Sequence, residues 1–341
     1  MTGRQVFACG FSWRKRAILR RFMGEVAVRF VRDVRKLTPG DTLLLWGDAP
    51  LPAHLPDGVR IVRVEDGFLR SVGLGVDLVQ PLSWVLDARG LYCDASRPSD
   101  LEYLLQESHF DDAMLARAAR LRQRIVEAGL SKYNVGNDRW TRPEGSKRVI
   151  LVPGQVERDA SIRTGAAGVR TNIGLLRAVR AANPDAYVLY KPHPDVVAGL
   201  RATGAGEDQA RTLCDEVAGP VAMNALLPQV DEVHVMTSLT GFEALLRGKP
   251  VTCYGQPFYA GWGPTQDKAP VPRRTRALEL DALVAATLIA YPLYVSRTTG
   301  KPITPEEAVA ELLAWRAQST AELTLWRRFM RCVLIKIVGV Q

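Results

Sequence analysis

The stretch that most constrains this chain is Thr237 to Gly263, TSLTGFEALLRGKPVTCYGQPFYAGWG. Small hydroxyl residues open a short amphipathic helix, Gly248 ends it, a β-like run follows, and a Gly/Pro/aromatic loop closes the stretch. The run before it, Asp231 to Met236 (DEVHVM), reads as a strand that hands over directly to Thr237. A strand leading into hydroxyls and a helix places the unpaired amides of the first helical turn at the carboxyl edge of a parallel sheet, where phosphate binds.

The same alternation recurs along the chain. In the first half, Val6–Phe11, Val26–Val31, Asp41–Trp46 and Gly58–Val64 are β-like, with helical periodicity at Ile18, Leu19, Phe22 and Met23. Pro81–Leu86 and Gly90–Tyr92 read as a hairpin. Ser99 with Glu102 matches a capping box opening a helix from Asp100 to about Glu107, and Asp112–Ala128 is a long helix with arginines on its outer face. The second half restarts at the buried strand Arg148–Val152. Thr171–Ala182 is helical, Ala186–Tyr190 a strand, Glu207–Ala218 a helix, and Val221–Leu227 a helix or turn. Strands and helices alternating in this way predict an α/β fold with two Rossmann-like domains facing a cleft. The expected division is residues 1–135, 148–295 and a C-terminal segment, 296–341, returning to the first domain. The polar stretch Ser131–Lys147 is the connection.

Charge is unevenly spread. The net charge is +9, and residues 1–40 carry ten lysines and arginines against Glu25 and Asp33. The tail from Leu325 to Val338 alternates Arg327, Arg328, Arg331 and Lys336 with bulky apolar residues, as helices at membrane interfaces do. A C-terminal helix packed on the domain with solvated arginines fits that pattern equally. An anionic membrane surface is therefore a candidate partner. Nucleic acid is not, since the cations sit at the ends and no binding module accompanies them. There is no long uncharged apolar run and no signal-like N-terminus. The five cysteines are scattered without a CxxC pair, which predicts reduced thiols, no zinc site and a cytoplasmic location.

Four segments carry candidate chemistry. Ser238, Thr240 and Gly241 at the strand-to-helix junction offer hydroxyl and amide donors to a phosphate, and Glu243 one turn on could hydrogen-bond a ribose. Plain N-capping by Ser238 or Thr240 is the other reading. Lys191 and His193 in Lys191-Pro192-His193-Pro194 follow a strand, where they would stabilise a departing phosphate. After the strand Arg148–Val152 come Gln155, Asp159 and Ser161. A carboxylate there can act as nucleophile or base at a sugar carbon, or Asp159 can cap a helix with Arg163 as its partner. In the first half, Glu65 and Asp66 end a strand and Arg70 follows, either as site groups or as a cap and its ion pair. The absence of HExxH, DxD, GxGxxG and GxxxxGK[ST] predicts no metal, no dinucleotide cofactor and no P-loop hydrolysis.

Six segments in one order resemble the capsule polysaccharide β-Kdo transferase family: Gly10–Arg16 (GFSWRKR), Glu65–Gly75 (EDGFLRSVGLG), Ser131–Asn134 (SKYN), Val152–Ile162 (VPGQVERDASI), Tyr190–Asp195 (YKPHPD) and Thr237–Gly263. The resemblance runs up to Leu288–Tyr294 and implies a GT-B-like glycosyltransferase. The implied activity is transfer of Kdo from CMP-β-Kdo, with retention and without metal or cofactor, to a glycolipid or polysaccharide acceptor. The implied location is the cytoplasm, with the enzyme peripheral on the inner face of the inner membrane. Position by position it implies Asp159 as nucleophile and Lys191, His193, Ser238 and Thr240 on the phosphate. It further implies Glu243 on the ribose, Gln155 on the donor, and Glu65 or Asp66 as the acid/base or acceptor-positioning group. Arg70, with Ser71 beside it on the acceptor side, would meet a carboxylate or phosphate of acceptor or donor, and Gln256 and Tyr259 of the aromatic loop would wall the donor pocket. Enzymes of this family typically join two modules, whereas this chain holds one and is expected to make one linkage type. Another CMP-sugar transferase, such as a sialyl-type enzyme, or a non-catalytic capsule assembly or export component remain alternative readings.

Overall fold

The computed structural model describes residues 5–72, 80–132, 140–145, 148–199, 201–219 and 221–321, with the side chains of 319–321 excepted. The basic tail Leu325–Val338, Gly73–Gly75, and Tyr133 and Asn134 of the SKYN segment lie outside these residues.

The first half contains β1 (Val6–Cys9), α1 (Trp13–Met23), β2 (Val28–Phe30), β3 (Thr42–Trp46), β4 (Arg60–Asp66), β5 (Ser83–Asp87), α2 (Asp100–Glu107) and α3 (Asp112–Glu127). The second half follows with β6 (Val149–Pro153), α4 (Ala160–Gly165), α5 (Asn172–Ala182), β7 (Tyr187–Lys191), α6 (Pro194–Val197), β8 (Glu216–Val217), α7 (Met223–Leu226), β9 (Glu232–Val235), α8 (Leu239–Leu246), β10 (Val251–Cys253) and β11 (Gln266–Asp267). The last elements are α9 (Leu280–Val284), β12 (Leu293–Tyr294) and α10 (Pro305–Ala321).

These strands form two six-stranded sheets, ordered β12-β5-β4-β3-β1-β2 and β11-β10-β9-β6-β7-β8. Every pairing in the second sheet is parallel. The composition explains why: β6 reads VILVP and is buried at all five positions, as a central strand covered by helices on both faces must be. The first sheet is parallel through β2-β1-β3-β4 and turns antiparallel at β5 and β12. The architecture is the α/β, GT-B-like pair of sheets expected from the alternation.

Several local expectations change. β5 does not form a hairpin with Gly90–Tyr92 but pairs with β4 and β12. The Asp87 carboxylate accepts the amides of Arg89 and Gly90 at 2.9 and 2.8 Å, which folds the chain into a tight turn where a second strand would have begun. The segment after Glu207 is a short 3-10 turn, Glu207–Thr212, and then β8, because Asp215 accepts the Val188 amide at 2.7 Å and starts a strand beside β7. Half of the capping box is present. Ser99 Oγ accepts from the Glu102 amide at 3.0 Å, but the Glu102 carboxylate is spent on Arg273 and Arg274. The chain also returns to the first half before residue 296, since α9 packs on α3 and β12 joins the first sheet.

One apolar core runs through both halves. Phe68 and Tyr92 of the first meet Phe242 and Phe258 of the second, with ring centroids of Phe68 and Phe258 4.7 Å apart. Each buried aromatic of this kind contributes roughly 1.5–3 kcal/mol of transfer free energy. The arginines of α3 are only partly solvated: Arg117 pairs with Glu306 of α10 at 2.7 Å and Arg122 with Asp281 of α9 at 2.8 Å. Among the described residues no helix is long and apolar enough to cross a membrane.

Candidate functional site

Between the two sheets lies a cavity of about 560 Å³, within the range of small-molecule sites. Its walls come from strand carboxyl ends and the loops beyond them: Glu65 after β4, Pro153–Gln155 after β6, Lys191–Pro194 after β7, Thr237–Thr240 after β9 and Pro257–Phe258 after β10. This is where open α/β sheets bind ligands.

One side is built for an anion. Ser238 is the N-cap of α8, and its Oγ accepts from the Thr240 amide at 3.2 Å. The capping reading is therefore correct locally, yet the Ser238 hydroxyl proton and the Thr240 hydroxyl still face the cavity that both residues line. The helix start adds positive partial charge. Lys191 ends β7, and burial lowers its ammonium pKa; no carboxylate contributes to the shift. Burial likewise lowers the pKa of His193, against the pull of Asp195 and Asp159. His193 Nδ1 accepts from the Asp195 amide at 3.1 Å, which leaves Nε2 to carry the proton of the neutral ring. Glu243 is buried on α8 beneath, raised in pKa by burial, and its Oε1 accepts from the Lys132 amide at 2.7 Å.

The other side carries carboxylates. Asp159 caps α4, Oδ1 accepting from the Ala160 amide at 3.2 Å, and is exposed to the cavity. Arg163 is not its partner: the Arg163 guanidinium pairs with Asp48, in the turn after β3, and so bridges the two halves beside the cavity. Across from Asp159, burial and then the Asp66 charge push the Glu65 carboxyl up to about 7. Cys93 feels both Glu65 and Asp159, and burial above all pushes its thiol up to about 12. Ser161, two residues beyond Asp159, also lines the cavity. Gln155 lines it too, but both ends of its amide are engaged by Thr237.

The remaining candidates lie behind these walls. Asp66 is held by Arg70 at 2.7 Å and by Trp84 Nε1 at 3.0 Å, and Arg70 donates to the buried Ser71 Oγ at 2.9 Å, so this group braces the floor. Gln256 turns away to donate to the Pro270 carbonyl at 2.8 Å. Tyr259 is fully buried, and its hydroxyl donates to the Ser238 carbonyl. A Cβ on Gly241 would lie 2.2 Å from that hydroxyl, so glycine is there for the close approach of ring to helix, not as a phosphate donor. The aromatic loop does wall the cavity, through Pro257 and Phe258.

The model of the capsule polysaccharide biosynthesis protein family matches residues 43–297. The chain belongs to that family. Among curated relatives, the capsule polysaccharide modification protein LipA of Neisseria meningitidis serogroup A is 46% identical over 323 residues. That match covers 91% of this chain and 45% of LipA, so the chain spans less than half the length of that relative. The lipopolysaccharide-processing protein LpsZ of Rhizobium meliloti is 41% identical over 315 residues, covering 87% of this chain and 72% of LpsZ. Among solved structures, the β-Kdo 2,7 transferase of Thermosulfurimonas dismutans KpsC superposes with a TM-score of 0.75 at 40% identity, covering 91% of this chain and 99% of that one. The β-Kdo 2,4 transferase of the same protein gives 0.78 at 30%, covering 91% and 98%.

For this member of the capsule family, the cavity also holds residues that motif reading did not assign to a site. Lys132, Tyr92 and Cys93 line it. Lys132 was visible only as part of the SKYN segment, whose position in a polar connection says nothing of where its side chain goes. Tyr92 ends the segment Gly90–Tyr92, which the sequence suggests as the second strand of a hairpin, and Cys93 follows it; the tertiary placement of this segment beyond the turn at Asp87 carries no local signal.

Proposed function

We propose that this chain is a retaining β-Kdo glycosyltransferase. It moves Kdo from CMP-β-Kdo to a glycolipid or polysaccharide acceptor in surface-glycan synthesis, on the cytoplasmic side of the membrane and without a metal ion. The observation that carries the reading is that Asp159 lines the same cavity as the α8 N-terminus, Lys191 and His193. A nucleophile and a leaving-phosphate cradle thus face one space. The likeness to two solved Kdo transferases supports the choice of sugar.

In the first displacement an Asp159 oxygen attacks C2 of Kdo and the bond from C2 to the phosphate oxygen breaks, its electron pair leaving with CMP. Ser238, Thr240, Lys191 and the Nε2 proton of His193 surround the charge that develops on that phosphate. In the second, an acceptor hydroxyl gives its proton to Glu65 and attacks C2, and Asp159 departs as a carboxylate. Two inversions restore the β configuration. Glu65 suits the base role better than Asp66, because Asp66 is committed to Arg70 and Trp84 while Glu65 faces the cavity with a proton affinity near neutrality.

The test is incubation of the protein with CMP-Kdo and lipid-linked or oligosaccharide acceptors, with and without a chelator. Transfer that survives chelation is expected. So is a covalent adduct of one Kdo residue by intact mass, absent in Asp159→Ala. No turnover by the wild type, or turnover undiminished in Asp159→Ala, would overturn the reading.

A further inference from the structure

The two proposed displacements draw on different halves of the molecule. The first uses Asp159, Lys191, His193, Ser238 and Thr240, all of the second half, and the second adds Glu65 near the end of β4. Whatever holds Glu65 and Asp159 at a fixed separation therefore matters to the step in which the acceptor attacks, and little to the step before it.

The turn after β3 supplies such a link. Gly47 takes a φ of +55° there, and a Cβ on it would stand 3.0 Å from Glu65 Oε2, so the turn lies directly against the Glu65 carboxyl. The turn is fixed from two sides. The Gly47 amide donates to the Val64 carbonyl at 2.9 Å, and Arg63 Nη1 donates to the carbonyls of Gly47 and Ala49 at 2.6 and 2.9 Å, bracketing Asp48. The Asp48 carboxylate reaches the second half, where it pairs with the Arg163 guanidinium. Arg163 lies in α4, one turn from the N-cap Asp159, and its amide donates to the Asp159 carbonyl at 3.0 Å. From Glu65 through Gly47, Asp48 and Arg163 to Asp159 the path is short, and it crosses between the halves at this ion pair. The neighbouring contact is weaker: the Thr164 hydroxyl has one proton to give, and lies 2.8 Å from the Ala160 carbonyl of its own helix but 3.2 Å from the Cys93 carbonyl of the first half. The Arg163 and Asp48 side chains are 58% and 47% exposed, so their pairing adds little to stability and its consequence is geometric.

We infer that Asp48 and Arg163 are positioning residues for the acceptor step: by docking α4 on the turn beside Glu65, their ion pair sets the separation of Glu65 from Asp159. The inference rests on the transferase reading above. It divides the labour of the site, since the donor half works without the pair, whereas an acceptor hydroxyl must meet Glu65 and the carbon held by Asp159 at once.

The experiment compares wild type, Asp48→Ala, Arg163→Ala and the double alanine variant. With CMP-Kdo alone, the rate of adduct formation is read by intact mass; with acceptor added, kcat is read from CMP release at saturating acceptor. Each single variant is expected to form the adduct within about twofold of the wild-type rate and to transfer about tenfold more slowly, with a melting temperature within a few degrees of wild type. The double variant should be no slower than either single one, because both lose the same pair. If Arg163→Ala disturbs α4, Asp48→Ala removes the pair from the other half, away from Asp159. Transfer undiminished in Asp48→Ala, losses that multiply in the double variant, or adduct formation that falls as far as transfer would each overturn the positioning role while leaving the transferase reading standing. A wild type that forms no adduct and transfers nothing overturns the two together.

Discussion

Gln155 and Thr237 hold each other by two hydrogen bonds: Gln155 Nε2 donates to Thr237 Oγ1 at 3.0 Å, and the Thr237 amide donates to Gln155 Oε1 at 2.9 Å. The pair ties the loop that carries Asp159 to the loop that leads into Ser238. In the proposed mechanism the pair sets the spacing between Asp159 and the residues at the start of α8. Gln155→Ala leaves the Thr237 amide without its acceptor, at about 1–3 kcal/mol. The expected result is a melting temperature several degrees lower and a fall in kcat that exceeds any rise in donor KM. A change confined to KM would instead mark Gln155 as a simple donor contact.

Glu65 makes stability and activity depend on pH in opposite senses. Its carboxyl is raised from an ordinary 4.5 to about 7, first by burial and then by Asp66. The folded state therefore binds this proton more tightly than the unfolded chain does. The associated stability is fully present below pH 4.5 and is lost as pH rises through 7. Thermal unfolding followed from pH 4.5 to 8 should show that loss in the wild type and less of it in Glu65→Gln. Transfer should gain activity over the same range, as the base ionises. Glu65→Gln should slow acceptor transfer by about 10²–10⁴-fold while still releasing one equivalent of CMP.

Cys93 lines the cavity beside two carboxylates, yet burial pushes its thiol up to about 12. At pH 8 only about one molecule in ten thousand would carry the thiolate. Iodoacetamide at that pH should leave Cys93 unmodified in the native protein, as read by peptide mass spectrometry, and Cys93→Ser should retain transfer. Rapid alkylation with loss of activity would show a thiol far more acidic than its surroundings allow.

Much of the scaffold was legible because its signals are local. The run RVILV could only be a strand covered on both faces, and Ser238 before Leu239–Leu246 could only start a helix. The segments bearing Asp159, Lys191 and Ser238 follow strands directly, so their arrival at one sheet edge follows from α/β topology. What was not legible depends on contacts distant in sequence. The Asp66–Arg70 ion pair was one of the two readings of its segment, but Trp84, which completes the network, is distant in sequence, and Tyr259 looks like pocket wall until its hydroxyl is found on the Ser238 carbonyl. Lys132 lines the cavity at a point where Glu243 and Ser71 hold its backbone.

The aromatic loop depends on a charge cluster that no single segment discloses. Glu102 of α2 accepts from Arg273 and Arg274, and Arg274, almost completely buried, also donates to the carbonyls of Pro257 and Ala260 at 2.6 and 2.7 Å. Glu102 thus fastens the loop bearing Phe258, which walls the cavity, to the first half of the molecule. Glu102→Ala strands a buried guanidinium, and breaking a buried pair from one side costs about 3–5 kcal/mol. Arg273→Ala should cost much less, since that side chain is 33% exposed and Arg274 still satisfies the carboxylate. Chemical denaturation should separate the two variants by at least about 2 kcal/mol. Equal losses would mean that Arg273 and Arg274 share the charge evenly and that burial of Arg274 does not set the strength of the fastening.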